Sequence, residues 1–234
     1  MVRPKTYDEQ LRAGLVRAAA DRIAVSGAHG LSLRELAADQ GTSTNAIYVM
    51  FGGKSQLVDA VLAQADAGFT HAQREALGAG RTLADLHRLG DAYRTWACAN
   101  PAFYAAMFSH AGLAGGDSPQ ARTGDTPESM GPILTVIERL IADGLVRDGG
   151  VLPVATSVWA AVHGIVSLEI ALWAGSPGAD QIFATHMEAV ERGWLTPRGQ
   201  DEARRLRAQW TPTSAPAPVH DPAPVPGTRA PAVH

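Results

Sequence analysis

One cysteine, Cys98, occurs in 234 residues, so neither an internal disulfide framework nor a Cys-based metal centre is available. Such usage fits a reducing cytoplasm. Charge is scarce too: 18% of residues are Asp, Glu, Lys or Arg, and the formal net charge is -3. A chain of that balance is not basic all over, so any nucleic-acid contact must come from a local patch. The N-terminus holds Arg3, Lys5, Arg12 and Arg17 but no apolar run of signal-peptide length, which argues against export. The motifs of common enzymes are missing as well: no G-x-S-x-G, no H-E-x-x-H, no paired cysteines and no Walker loop. The glycines of Gly112 to Gly116 have neither the spacing nor the preceding strand of a dinucleotide fold. No enzyme chemistry and no cofactor is expected. His163, His186 and Glu188 are the nearest thing to metal ligands, but no spacing puts three ligands on one helix face, so no metal is expected either.

Strand-like alternation is absent, and what remains is helical periodicity on a 46% hydrophobic background, ample for a buried core. Leu11, Leu15, Ala19 and Ile23 give a first helix its apolar stripe, with Gly27 and Gly30 bracketing its end. A fourth helix opens at Lys54 and runs through Leu57, Val61 and Ala65 to Phe69. Arg81 and Thr82 start the next, with Leu83, Leu86, Leu89, Tyr93 and Trp96 three or four apart until Asn100-Pro101 stops it. A short helix is expected from Ala102 to His110, then a loop over 111–128, rich in Gly, Ser, Pro and Thr. Ile133, Val136, Ile137, Leu140 and Ile141 restore the helical pattern. An apolar helix from Pro153 follows, and Ile182, His186, Ala189, Val190 and Trp194 mark a last core helix. Beyond Thr211 seven of the 15 prolines crowd into the end of the chain, so 211–234 is read as a disordered proline-rich tail.

Between Ser32 and Lys54 lie two short helices about a glycine turn. Ser32 caps a helix whose apolar side is Leu33, Leu36 and Ala37; Gly41 ends it. Thr42, Ser43 and Thr44 offer hydroxyl caps for the next helix, which buries Ile47 and Phe51 and leaves Asn45, Tyr48 and Val49 on other faces. Two helices joined this way suit the DNA major groove, where one helix enters and the other braces against the backbone. Asn45 either caps the chain or meets an adenine edge. Tyr48 either fills the core or touches phosphate, while Arg34 and Lys54 either face water or phosphate.

The stretch from Leu11 to Val61 resembles the N-terminal domain of TetR-type transcriptional regulators, through Leu31 to Ala37, Gly41, Tyr48, Phe51, Gly53, Lys54 and Leu57 at fixed offsets. That resemblance implies that Thr44, Asn45 and Tyr48 face the groove, with Thr42 and Ser43 leading into the reading helix. It also implies that Lys54 meets phosphate and that Arg34 stands near the start of the bracing helix. It further implies a homodimer on a palindromic double-stranded operator.

Val154 to Ala174 is long and apolar enough to cross a bilayer, yet Thr156, Ser157, His163, Ser167 and Glu169 interrupt it and no basic cluster flanks it. It reads as a helix buried between helices or subunits. Trp159 and His163 lie four apart with Gly164 beside them, and together with the apolar length they resemble the WHG-type C-terminal domain of one TetR branch. The plain alternative is a satisfied core histidine beside a packing tryptophan. Tyr93, Trp96, Phe103, Met107, Phe108, Trp159 and His163 are expected to line an apolar pocket for a small hydrophobic effector. The dimer is expected from the helix after Pro153, with Ile165 and Val166 on its contact face, and from the helix over 180–194.

The resulting expectation is an all-α protein with three parts. Residues 1–54 form a three-helix helix-turn-helix DNA-binding domain, 55–210 a helical effector-binding and dimerisation domain, and 211–234 the tail. A helical ligand carrier or interaction module that no longer reads DNA is the alternative. An enzyme built on His163 and Glu169 is weaker still, because six residues along a helix puts them on different faces.

Overall fold

The structure, a computed structural model, describes residues 5–78, 83–108 and 128–209. Among them the secondary structure is helical apart from one isolated β-bridge. The tail and the loop of 111–127 lie outside the described residues, as do Arg81 and Thr82. The helices are α1 (Lys5–Gly30), α2 (Leu33–Asp39), α3 (Thr44–Phe51), α4 (Lys54–Ala76), α5 (Leu83–Ala99) and α6 (Pro101–Phe108). A short 3-10 turn (Glu128–Met130) precedes α7 (Gly131–Ala142), α8 (Val151–Leu168), a π-helical turn (Glu169–Trp173), α9 (Ala179–Trp194) and α10 (Pro197–Gln209).

Leu15, Val16, Ala19 and Ile23 of α1 are buried with Leu36, Ile47, Phe51, Leu57 and Val61 in one aliphatic core. Gly27 takes φ 70°, outside the helical region, and so breaks the path of α1 near its end. α6 closes this core from the other side, supplying Phe103 and Ala106. α4 packs against α1 on one flank and against α5 and α6 on the other, so it spans both halves of the chain. It runs to Ala76, seven residues past the expected Phe69, with Phe69, Thr70 and Gln73 buried along the extension.

The second half has two further apolar clusters. One joins Leu83, Leu86 and Leu89 to Ile133, Ile137, Leu140, Val154 and Val158, and the other gathers Phe69, Tyr93, Tyr104, Val162, Val166 and Phe183. α10 is an addition to the sequence reading. Its largely charged residues hide a thin apolar edge, in which Ala203 is buried and Leu206 packs on the second cluster. It is seated where the backbone comes close: a Cβ on Gly199 would stand 2.1 Å from the Leu145 carbonyl oxygen. Beside it Val146 and Leu195 form the bridge, and Arg147 N donates to Trp194 O at 2.9 Å.

Two expected faces are shifted. Ile165 and Val166 are 8% and 0% exposed and belong to the chain's own core, so they are not on an outward face. In α9 the inward residue is Phe183, whereas Ile182 is 42% exposed. Both helices are apolar on more than one side, which blurs the phase of the pattern. The exposed residues of α8 instead include Leu152, Thr156, Ala160 and Leu168, on a line of four-residue steps that winds about 40° per step around the helix, and Leu172 in the π turn is exposed as well. Val151–Trp173 is long and apolar enough to cross a membrane, by length and composition only, and a third of it (33%) is buried within this one chain.

Candidate nucleic-acid interface and ligand-facing core

Serine caps start both α2 and α3. Ser32 Oγ accepts from Glu35 N at 3.4 Å, and Ser43 Oγ accepts from Ala46 N at 3.1 Å, so each hydroxyl satisfies a donor that a helix start leaves open. Gly41 turns the chain at φ 61°. Thr42 N donates to Ala37 O at 2.9 Å, closing the turn. Arg22 of α1 holds α2 from outside by pairing with Glu35 at 2.9 Å and with Asp39. With Ile47 and Phe51 inside, α3 presents Asn45, Tyr48 and Val49 to solvent, the last two 54% and 79% exposed.

Arg34 is exposed on α2, and Thr42 and Thr44 are half-buried at the entry to α3. Ser43 is exposed, with its acceptor lone pair engaged in the cap. Lys54 is also tied to the fold: its Nζ donates to His29 O at 2.8 Å, joining the start of α4 to the end of α1. An ammonium has three donors, so two are left for another partner. The seven residues named from sequence therefore fall on one stretch from α2 to the start of α4.

The C-terminal core holds an aromatic cluster with a polar centre. Trp159 stacks on His163 with centroids 5.2 Å apart and planes 12° apart, and Phe108 meets the His163 ring edge-on at 4.5 Å. The hydroxyls of Tyr93 and Tyr104 both lie 2.9 Å from His163 Nδ1. Tyr104 also meets Ser167 Oγ at 2.8 Å. In the neutral tautomer that leaves a lone pair on Nδ1, either Tyr93 donates to it and Tyr104 turns to Ser167 or the His163 carbonyl, or Tyr104 donates to it and Tyr93 turns to the Tyr104 hydroxyl. Burial lowers the His163 pKa and raises those of both tyrosines, which keeps the cluster uncharged near neutrality.

Of the seven residues expected to line a pocket, Tyr93, Phe108, Trp159 and His163 come together here. Phe103 does not; about 100° around α6 from Tyr104, it faces the aliphatic core around α1. Trp96 and Met107 sit between the two cores. Trp96 also floors a groove of about 530 Å³, open to solvent, between α4 and α5. Phe69, Tyr104 and Ser167 belong to the cluster but were not anticipated. A small pocket of about 20 Å³ touches Tyr93, Trp159, Val162 and Met187, space for about one water molecule.

A buried ion network stands behind this cluster. Arg94, one residue beyond Tyr93, donates to Glu169 at 2.7 and 2.8 Å and pairs with Asp180 at 2.7 Å. Its guanidinium lies 5.0 Å from the centre of the Phe183 ring. Burial alone would lower the Arg94 pKa, but the bonds to Glu169 and Asp180 raise it, and the group is cationic. Burial and the Glu169 carboxylate push the Cys98 thiol up to about 11, so it is a poor nucleophile at neutral pH. Glu169 is thus engaged by Arg94 and His163 by two tyrosines, so these two do not form an acid–base pair with each other. Among the described residues no group of three His, Cys, Asp or Glu converges as a metal site.

Comparison with known proteins agrees with both halves. Residues 15–61 match the family of bacterial regulatory proteins of tetR type, and residues 86–190 match the tetracyclin repressor-like C-terminal domain. An HTH-type transcriptional regulator of Mycobacterium tuberculosis is 26% identical over 203 residues, spanning 74% of this chain and 85% of that protein. The regulator PfmR of Thermus thermophilus superposes with a TM-score of 0.63 at 20% identity, over 76% of this chain and 97% of its own. The ketosteroid transcriptional regulator KstR2 of Mycobacterium tuberculosis gives 0.62 at 19% identity, over 79% and 95%. At such identities these two speak for the fold. With a helix-turn-helix presenting α3, a matching C-terminal domain and relatives named as regulators, the chain belongs to the TetR family of non-enzymatic, DNA-binding transcriptional regulators.

Proposed function

We propose that this regulator is a repressor that binds a palindromic operator as a homodimer and releases it when a small, largely hydrophobic effector enters the C-terminal core. The observation that carries the dimer is the outward stripe of α8. Leu152, Leu168 and Leu172 are 51%, 48% and 67% exposed, and Ile182 of α9 is 42% exposed. An apolar stripe of that kind on a soluble chain is best covered by a second copy. Thr156, Ala160 and Gly164 between the leucines are small, and a Cβ on Gly164 would meet nothing within 4 Å, leaving space for a partner's backbone. Two copies of α3 would then address half-sites roughly 34 to 36 Å apart.

In this reading residues 1–54 read the operator and 55–210 sense and dimerise, in the cytoplasm. Thr44, Asn45 and Tyr48 face the groove, Thr42 and Ser43 stand at its edge, and Arg34 and Lys54 meet phosphates. Tyr93, Phe108, Trp159 and His163 form the effector's wall, with Trp96 and Met107 behind. The cavity of about 20 Å³ is far smaller than an effector, so binding has to part Trp159 and Met187 from their neighbours. An effector that prefers the opened core weakens operator binding by the same factor by which the operator weakens the effector. Because α6 carries Tyr104 and Phe108 toward the effector side and Phe103 into the DNA-binding core, opening one core disturbs the other.

Selection of bound duplexes from a random pool by the purified protein tests the operator claim, with light scattering for the dimer. Enrichment of an inverted repeat is expected, with Leu168→Glu giving monomers that lose affinity for the repeat. A wild-type chain that is monomeric at micromolar concentration would remove the palindrome, and one that enriches no sequence would leave the ligand-carrier reading.

A further inference from the structure

Val49 is 79% exposed on a helix otherwise well used, and it joins none of the three apolar clusters. A β-branched residue held in water costs helix propensity and contributes no packing, so the fold gives no reason for it. α3 is unusual in a second respect. From Thr42 to Gly53 the chain carries no charged side chain, although this is the segment presented outward between Arg34 and Lys54.

Base pairs are told apart in the major groove by a few pairings. Guanine is most often read by the forked donors of Arg or the ammonium of Lys, adenine by Asn or Gln, and thymine by apolar contact with its C5-methyl group. α3 lacks the first set and has the other two. Asn45 and Val49 are four residues apart on one face, so their side chains stand one helical turn from each other. A turn rises about 5.4 Å, between one and two base-pair steps of about 3.4 Å.

We infer that Val49 reads a thymine methyl group, with Asn45 on an adenine one or two steps away, so that the base pairs beneath α3 are A·T. This rests on the operator reading proposed above and adds to it the class of base and the residue that selects it. Tyr48, also exposed, stands about 60° around the helix on the other side of Asn45 from Val49, which leaves its phenol for the backbone.

The test uses the full chain, a duplex enriched from a random pool, and the same duplex with single thymines replaced by deoxyuridine, which removes only the methyl group. One buried methyl corresponds to about fourfold in affinity, and the same change in both half-sites to about fifteenfold. Wild type is expected to lose about that much at one symmetric pair of thymines. Val49→Ala is expected to bind the thymine and deoxyuridine duplexes equally, and to match wild type on the deoxyuridine duplex, which also shows that the variant is folded. The inference is overturned if no thymine replacement weakens wild type as much as twofold. It is equally overturned if Val49→Ala keeps the whole penalty, because another residue then reads the methyl. Failure to enrich any sequence defeats the operator reading and this inference together, whereas an enriched repeat insensitive to deoxyuridine defeats this inference alone.

Discussion

Ser32 and Ser43 reach three residues along the chain to cap their helices, whereas Arg94 reaches 75 residues to Glu169 and Tyr93 reaches 70 to His163. The DNA-binding half keeps its polar groups at helix starts and on the outside, around an aliphatic core. The C-terminal half places them at its centre, where low dielectric strengthens each bond and makes a missing partner costly. The first arrangement tolerates small losses and fixes orientation locally. The second is a set of mutually dependent contacts between α5, α6, α8 and α9, suited to responding as a unit when something is inserted.

The sharpest way to break this contrast is Arg94→Met, which leaves the Glu169 carboxylate buried without its counter-ion; a loss of about 3–5 kcal/mol is expected in denaturant unfolding. The double variant Arg94→Met with Glu169→Leu should recover much of it, since removing both charges removes the desolvation cost as well. Ser43→Ala is the local counterpart and should cost about 1 kcal/mol. If the two substitutions prove equally costly, the difference between the halves is not energetic.

His163 sharpens the comparison through pH. Its folded pKa lies below the ordinary value of about 6.5, so the unfolded chain binds the proton first. Stability from the neutral ring is fully present above that value and falls as pH drops through it toward the folded pKa. The melting temperature should therefore decline more steeply between ~pH 7.5 and ~pH 5.5 for wild type than for His163→Asn. Equal slopes would mean that the ring is no more desolvated in the fold than outside it. The smallest effect expected is none: ending the chain after Trp210 should leave melting and operator affinity unchanged, because a proline-dense segment with few large apolar residues cannot offset its ordering entropy. Ending it at Thr196 should not be silent, since α10 buries Ala203 and pairs Arg207 with Glu191 at 2.9 Å.

What was legible in the sequence follows the same division. α2 and α3 were readable because cap, turn glycine and apolar spacing all lie within a few residues. Trp159 and His163 were readable as an i, i+4 pair. Tyr104 and Ser167 were not, because their roles depend on α6 crossing α8, and nothing local in PAFYAAMF distinguishes Tyr104, which faces His163, from Phe103, which faces away. The phases of α8 and α9 misled because each helix carries large apolar residues on its exposed side as well as its buried one, so neither has a single apolar side, as Ile165 against Leu168 and Phe183 against Ile182 show. α10 was passed over because a helix lying on the surface needs only Ala203 and Leu206 to hold it.

The π turn at Glu169–Trp173 spends five residues where an α-helix would use about 3.6, so the chain carries roughly one more residue there than a regular helix needs. That surplus is a register device. It lets Glu169 turn inward to Arg94 while Leu168 and Leu172 both stay outside. Removing a single residue from this turn would let it rewind to α-helix while the chain beyond it kept nearly the same register, because five π-helical residues turn through roughly the same angle as four α-helical ones. Only the residues inside the turn would be re-aimed. A gene that lost one codon here would change which residues of this turn face Arg94 and which face outward, while keeping every other residue.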